Sequence, residues 1–183
     1  IGLSAAQRDA IKSDPAWKDG EYGDVQPENG LSLARKIAMI SYRSARSFDQ
    51  RFGRNLQDNR KDYFAVESYL DYQGEKLVER FDANCYLALT EIMDTHDIGR
   101  GRGGHVQALQ NIHQPSLIIS IDTDTLYPVY EQQDLVEHLP NAGYYVIHSI
   151  NGHDAFLIDL DQVVEGIEPF KEKYWNKKNK LQD

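Results

Sequence analysis

The sequence predicts an α/β fold with parallel strands, preceded by a long helical region. Two apolar runs, Leu117-Ile118-Ile119-Ser120-Ile121 and Tyr144 to Ile150, read as strands, and each is followed by a short polar loop. Helical patterns precede, separate and follow them, and helix–strand–helix–strand–helix with short connections favours parallel strands joined by crossover helices. From Ile1 to about Arg102, by contrast, the pattern is helical and loop-like, with little sign of strands.

Taken in order, Leu31, Leu33, Ala34, Ile37, Ala38 and Ile40 recur at helical spacing after the turn Pro27-Glu28-Asn29-Gly30. Val66, Tyr69, Leu70, Gln73 and Leu77 form one stripe of an amphipathic helix. Ala83 to Met93 reads as a further helix that ends before the glycine-rich Gly99–Gly104 segment, and that segment reads as a flexible linker. Val106 to Ile112 suits a short helix, and Leu117–Ile121 is the pattern of a strand buried on both faces of a parallel sheet. Tyr130 to Leu139 is helical, Tyr144–Ile150 is the second strand, stopped by Asn151-Gly152, and Leu160 to Tyr174 closes the fold as an amphipathic helix. The tail from Asn176 to Asp183 is polar and expected to fray. Two strands leave open edges and faces, so further strands are expected from elsewhere.

Composition narrows the function classes. Lys+Arg 20 against Asp+Glu 29 gives a formal charge of −9, the wrong sign for a surface that neutralises phosphates, so no nucleic-acid partner is expected. No apolar run reaches the length of a membrane span and no basic-then-apolar leader opens the chain, so no membrane partner is expected. The single cysteine, Cys85, cannot close an internal disulfide, fits a reducing, cytoplasmic setting, and is expected as a small buried side chain. The chain begins at Ile1 rather than Met and reads as a piece of something longer.

In open α/β sheets, functional groups gather at the carboxyl ends of strands. The loop after the first strand carries Asp122-Thr123-Asp124, and the loop after the second carries Asn151-Gly152-His153-Asp154. Adjacent parallel strands would bring an acid and a histidine side by side, where a carboxylate can hold the imidazole tautomer and stabilise the imidazolium. Spacing alone does not separate Asp122 from Asp124. Acid before histidine is the order of the α/β-hydrolase fold, in which a serine comes first in a G-x-S-x-G elbow. No serine in the chain has those flanking glycines, so the nucleophile is expected upstream of Ile1. His96, His105, His113, His138 and His148 show no metal-ligand spacing, and no metal is expected.

Several ordered motifs resemble the homoserine O-acetyltransferase family. Phe81-Asp82-Ala83-Asn84-Cys85-Tyr86-Leu87, preceded by Val66 to Gly74, is similar to that family's helical-lid segment. Gly152-His153-Asp154-Ala155-Phe156-Leu157 resembles its catalytic-histidine motif, and Thr123-Asp124-Thr125-Leu126-Tyr127-Pro128 its acid loop, which selects Asp124 over Asp122. Gly30–Arg35 followed by Ser41-Tyr42-Arg43 resembles the lid helix whose Arg and Tyr line the substrate tunnel, and Thr95–Arg102 is most like fungal-type members, which include deacetylcephalosporin C acetyltransferase.

The resemblance implies the C-terminal part of an α/β-hydrolase fold. Residues 1–104 would be a helical lid region, and residues 105–183 would carry the last parallel strands and helices of the core. It implies a ping-pong acyl transfer from acetyl-CoA, a co-substrate rather than a cofactor, to the hydroxyl of L-homoserine in methionine biosynthesis. Relatives that act on L-serine or deacetylcephalosporin C, or as esterases, and donors carrying succinyl rather than acetyl, remain alternatives. Asp124 and His153 would be catalytic. Arg35 and Tyr42, two helical turns apart, would bind the acceptor with Asp154, the arginine taking its carboxylate and Asp154 its amino group. The implied partners are an N-terminal segment with the nucleophilic serine and a second copy paired through the lid.

Overall fold

The computed structural model describes residues 1–58 and 60–175; the tail expected at residues 176–183 lies outside them. The chain divides into two compact units, one formed by Ile1–Ser41 and Phe48–His96, the other by Tyr42–Ser47 and Asp97–Asp183.

The first unit is helical. Its elements are α1 (Gly2–Lys12), α2 (Glu28–Tyr42, whose last residue groups with the second unit), α3 (Ala45–Arg51, which crosses the same boundary), α4 (Ala65–Val78) and α5 (Ala83–Thr95). The periodicity that predicted α2 matches burial on one face of the helix only. Leu31, Ala34 and Ala38 are buried while Leu33 and Ile40 face outward, and Ile11, Leu77, Ala83 and Leu87 complete the core with them. Gly30 permits α1 and α2 to approach, because a Cβ there would lie 2.7 Å from the Ala10 carbonyl oxygen. Asp82 caps α5 by accepting the Cys85 amide at 2.8 Å, and the Tyr22 hydroxyl donates to the same carboxylate. Asp71 binds Lys36 and the Tyr63 hydroxyl. These two partners hold its carboxyl below the usual range against the opposing pull of burial.

The second unit is α/β. It contains α6 (His105–Gln110), β1 (Ser116–Ile121), α7 (Val129–His138), β2 (Ala142–Ile147), α8 (Ala155–Ile158) and α9 (Leu160–Tyr174). Strands β1 and β2 pair in parallel with Ser116 opposite Ala142 and Ile121 opposite Ile147, as the crossover pattern predicts. Ile121, Ile147 and Ala155 form the centre of its core, with Val163 of α9 against them. Gly166 lets α9 close on β2: a Cβ there would meet the Tyr145 ring at 2.6 Å.

Four expectations need correction. The second strand ends at Ile147 rather than Ile150, because the amides that would continue the ladder are taken by side chains. His148 N–H donates to Gln162 Oε1 and Ser149 N–H to Asp122 Oδ1. Strand β1 is buried at Ser120 and Ile121 and only partly covered before them, in a sheet of two strands among the described residues. Cys85 is exposed, because the buried positions of α5, Ala83, Leu87 and Thr90, lie on another face of the helix. The Gly99–Gly104 segment is a hydrogen-bonded turn rather than a loose linker, its Gly99 carbonyl accepting from the amides of Arg102 and Gly104. No helix among the described residues is long and apolar enough to cross a membrane.

Candidate active site

The acid loop begins where β1 ends. The Asp124 amide donates to the Ile121 carbonyl at 3.1 Å, folding the chain back so that the carboxylate turns inward, where the residue is 8% exposed. Its Oδ1 accepts the amides of Leu126 at 2.8 Å and Tyr127 at 3.0 Å. That is an Asx-type turn, in which a short acidic side chain caps the backbone just ahead of it. With Oδ1 occupied, Oδ2 faces His153 and accepts from its Nδ1 at 2.9 Å. Burial pushes the Asp124 carboxyl up, but the His153 contact and the two amides outweigh it and hold the group below the usual carboxylate range.

His153 sits in a single 3-10 turn, Gly152–Asp154, directly after β2, with its side chain 24% exposed. Gly152 has φ +64°, and a Cβ there would lie 2.6 Å from the Ser44 amide nitrogen, so the position needs glycine for both reasons. Thr123 ties the two loops together: its hydroxyl donates to the Ser149 carbonyl and accepts the Gly152 amide at 3.1 Å. Asp159 receives the Ser149 hydroxyl and, at 3.1 Å, the Asn151 side-chain amide, which braces the turn from α9's N-terminal side. The rings of Tyr127, Phe156 and Tyr42 stand 5.2, 5.5 and 5.6 Å from the imidazole. Asp124, Tyr127, His153 and Phe156 share a cavity of about 410 Å³.

Chemically, this arrangement prepares a base. A carboxylate accepts only, so Nδ1 of the neutral imidazole carries the proton and Nε2 is the basic nitrogen. Asp122 serves elsewhere. Its oxygens accept the Ser149 amide and contact Nδ1 of His148, each at 3.0 Å, and the His148 side chain is 76% exposed.

Tyr42 and Asp154 are in the same unit as Asp124 and His153, whereas Arg35 is half-buried on α2 in the first unit. The Asp154 carboxylate forms an ion pair with Nε of Arg43 at 3.0 Å. Arg43, Asn151 and Thr123 are the participants that sequence reasoning passed over. Thr123 was legible in principle, lying between the two candidate acids. The contacts of Arg43 with Asn151 and Asp154 span more than a hundred residues of sequence and carry no local signal. Among the described residues, no group of three His, Cys, Asp or Glu side chains is placed to hold a metal ion.

No protein-family model matches the chain. Individual relatives do. It is 56% identical over 163 residues to a homoserine O-acetyltransferase of Salinibacter ruber, covering 88% of this chain and 46% of the relative. It is 50% identical over 174 residues to a homoserine O-acetyltransferase of Chloroherpeton thalassium, covering 94% of this chain and 46% of the relative. The chain thus spans about half the length of the curated relatives it matches. The fungal-type likeness expected from Thr95–Arg102 gains no support from them.

Among solved structures, homoserine O-acetyltransferase from Bacillus anthracis superposes with a TM-score of 0.83 at 26% identity, over 92% of this chain and 48% of that one. Esterase E22 superposes with a TM-score of 0.81 at 21% identity, over 92% of this chain and 49% of that one, a likeness of fold alone. Two parallel strands with flanking helices, an acid and a histidine paired at their carboxyl ends, and identities near one half agree: the chain belongs to the homoserine O-acetyltransferase family and carries the C-terminal part of its α/β-hydrolase fold.

Proposed function

We propose that the protein containing this chain transfers the acetyl group of acetyl-CoA to the side-chain hydroxyl of L-homoserine, by a ping-pong mechanism that serves methionine biosynthesis. The observation that carries this reading is the Asp124–His153 pair at 2.9 Å, in a chain half-identical to homoserine O-acetyltransferases. A serine on the remaining part of the protein supplies the nucleophile. His153 Nε2 takes the serine proton as the oxygen attacks the thioester carbonyl, and returns it to the departing CoA thiolate. It then takes the proton of the homoserine hydroxyl as that oxygen attacks the acyl-enzyme, and returns it to the serine. Asp124 holds the productive tautomer and stabilises the imidazolium in each transfer.

Residues 1–104 act as a helical lid region, and residues 105–183 complete the core. The acceptor is a zwitterion, so its site requires both signs of charge. Arg35 is the partner of its carboxylate, with Tyr42 assisting, and Asp154 the partner of its ammonium through the oxygen opposite the one Arg43 pairs with. Excluding water from the acyl-enzyme separates transfer from hydrolysis. A second copy associates through the lid, and the enzyme works in the cytoplasm without a bound cofactor.

The test uses the full-length protein with acetyl-CoA and homoserine. Mass spectrometry should show an acetylated enzyme before acceptor is added and O-acetylhomoserine after. His153→Ala should remove both species. Free acetate as the sole product would make the protein an esterase, and preferential acetylation of serine would reassign the acceptor.

A further inference from the structure

We propose that Arg43 is a positioning residue for the reaction: its guanidinium grips the histidine turn on both sides of Gly152-His153 and so sets the direction of Nε2. The inference rests on the reading of His153 as the base. Pairing with Asp124 fixes one ring nitrogen, but the ring also depends on where its backbone lies. That backbone is one 3-10 turn with a left-handed glycine, too short to be held by its own hydrogen bonds. Side chains must hold it.

Thr123 binds the turn at the Gly152 amide. Arg43 binds it at two further points. Its Nη1 donates to Asn151 Oδ1 at 3.3 Å, ahead of the histidine, and its Nε stands 3.0 Å from Asp154 Oδ2, behind it, an ion pair made by charge and proximity without hydrogen-bond alignment. The backbone of the same segment lies against the turn, since a Cβ on Gly152 would stand 2.9 Å from the Arg43 carbonyl carbon. The Ser44 hydroxyl donates to the Ile150 carbonyl, and the Ser47 hydroxyl donates to Asn151 Oδ1 at 3.4 Å. The Arg43 and Asp154 side chains are 16% and 17% exposed, so the pair is shielded from solvent more than ordinary surface ion pairs. A guanidinium carries its charge across a planar group, so one side chain can donate to Asn151 while facing the Asp154 carboxylate; an ammonium at position 43 would keep the charge but reach the two less well together.

The experiment measures the two half-reactions separately in the full-length protein. The burst of CoA released from acetyl-CoA without acceptor reports acylation, and homoserine KM reports acceptor binding. The downfield proton resonance of a carboxylate-bonded imidazole Nδ1–H reports ring placement. Arg43→Met should slow the burst by about 10- to 100-fold, the size expected when a catalytic group is misplaced by about 1 Å. Homoserine KM, which Arg43 reaches only through Asp154, should change by a smaller factor than the burst, and the downfield resonance should broaden or vanish. Arg43→Lys should recover part of the burst, and Asn151→Ala should reproduce part of the loss with no change of charge.

A burst in Arg43→Met within about twofold of wild type overturns the proposal. So does a loss confined to homoserine KM, which would place Arg43 on the acceptor side through Asp154. Should Arg43→Met fail to fold, unimpaired bursts in both Arg43→Lys and Asn151→Ala overturn it equally. A normal burst in His153→Ala would instead remove the underlying reading of the base.

Discussion

Replacing Asp124 by Asn changes one atom and reverses one hydrogen bond. Two backbone amides, of Leu126 and Tyr127, face Oδ1, so an asparagine must place its carbonyl oxygen there. Its NH₂ then occupies the position of Oδ2 and points a proton at His153 Nδ1. Two N–H groups cannot share that contact. The imidazole must present a lone pair at Nδ1 and carry its proton on Nε2, and that nitrogen can no longer accept the proton of an attacking hydroxyl. In a serine-protease triad the same exchange of tautomer costs about 10⁴ in kcat, roughly 5 kcal/mol of barrier. A loss of that order is expected here. The fold should survive, because the amide bonds to the carbonyl oxygen remain; losing one charge-assisted bond should cost about 1.5–3 kcal/mol of stability.

The folded Asp124 carboxyl lies below its ordinary value, so it stays ionised through neutral pH, and the kinetic loss should be present at neutral pH. The stability difference has its own pH window. It is fully present above about pH 4, the ordinary aspartate value, and disappears as pH falls through the lower folded value. The assays are the CoA burst of the full-length variant across pH and thermal unfolding down to pH 2. Asp122→Asn is the control, since Asp122 contacts the Ser149 amide and the exposed His148. A larger kinetic loss in Asp122→Asn than in Asp124→Asn would refute the assignment, and a loss below about tenfold in Asp124→Asn would refute the tautomer argument.

Two other perturbations probe different parts of the proposed machinery. Arg35→Ala should leave the CoA burst intact while kcat/KM for homoserine falls by about 2–4 kcal/mol, the loss of a charge-assisted contact; a lost burst would place Arg35 in acylation instead. Gly152→Ala should cost about 1–3 kcal/mol from the left-handed backbone, with a further cost where its Cβ meets the Ser44 amide nitrogen. A melting temperature equal to wild type would show that the turn accommodates a side chain.

Much of the fold was legible because burial follows periodicity. Leu31, Ala34 and Ala38 fall on the stripe that predicts α2, and the β-branched run at Leu117–Ile121 is β1 almost to the residue. Illegible features depended on contacts between distant segments. Residues 148–150 have strand-like composition, yet Asp122 and Gln162 capture the amides of His148 and Ser149 and end the ladder early. Likewise Cys85 lies in an apolar stretch whose face is chosen by α1, where the Tyr86 hydroxyl reaches Gln7 and Arg8 pairs with Asp94. At the candidate site, spacing left two aspartates open. What separates them is which backbone amides each can reach: Asp124 caps its own turn and has an oxygen left for His153, whereas Asp122 is engaged by Ser149 and His148.

The bracing of the histidine turn also bears on where specificity resides. Thr123 and Asp124 hold it from the acid loop, Asp159 from the start of α9, and Arg43 from the segment after α2. In the proposed mechanism, a base fixed from three directions presents Nε2 to any hydroxyl or thioester that reaches it, and does nothing to distinguish one from another. On that reading discrimination comes from groups that touch the parts of a substrate that do not react, because only those differ between homoserine, serine and water. A rigid acid–base pair and a separately varied acceptor site can then change independently. Substitutions around Arg35 should move acceptor preference at constant acylation rate, whereas substitutions around Arg43 should move acylation first and acceptor use only as far as Asp154 shifts with it.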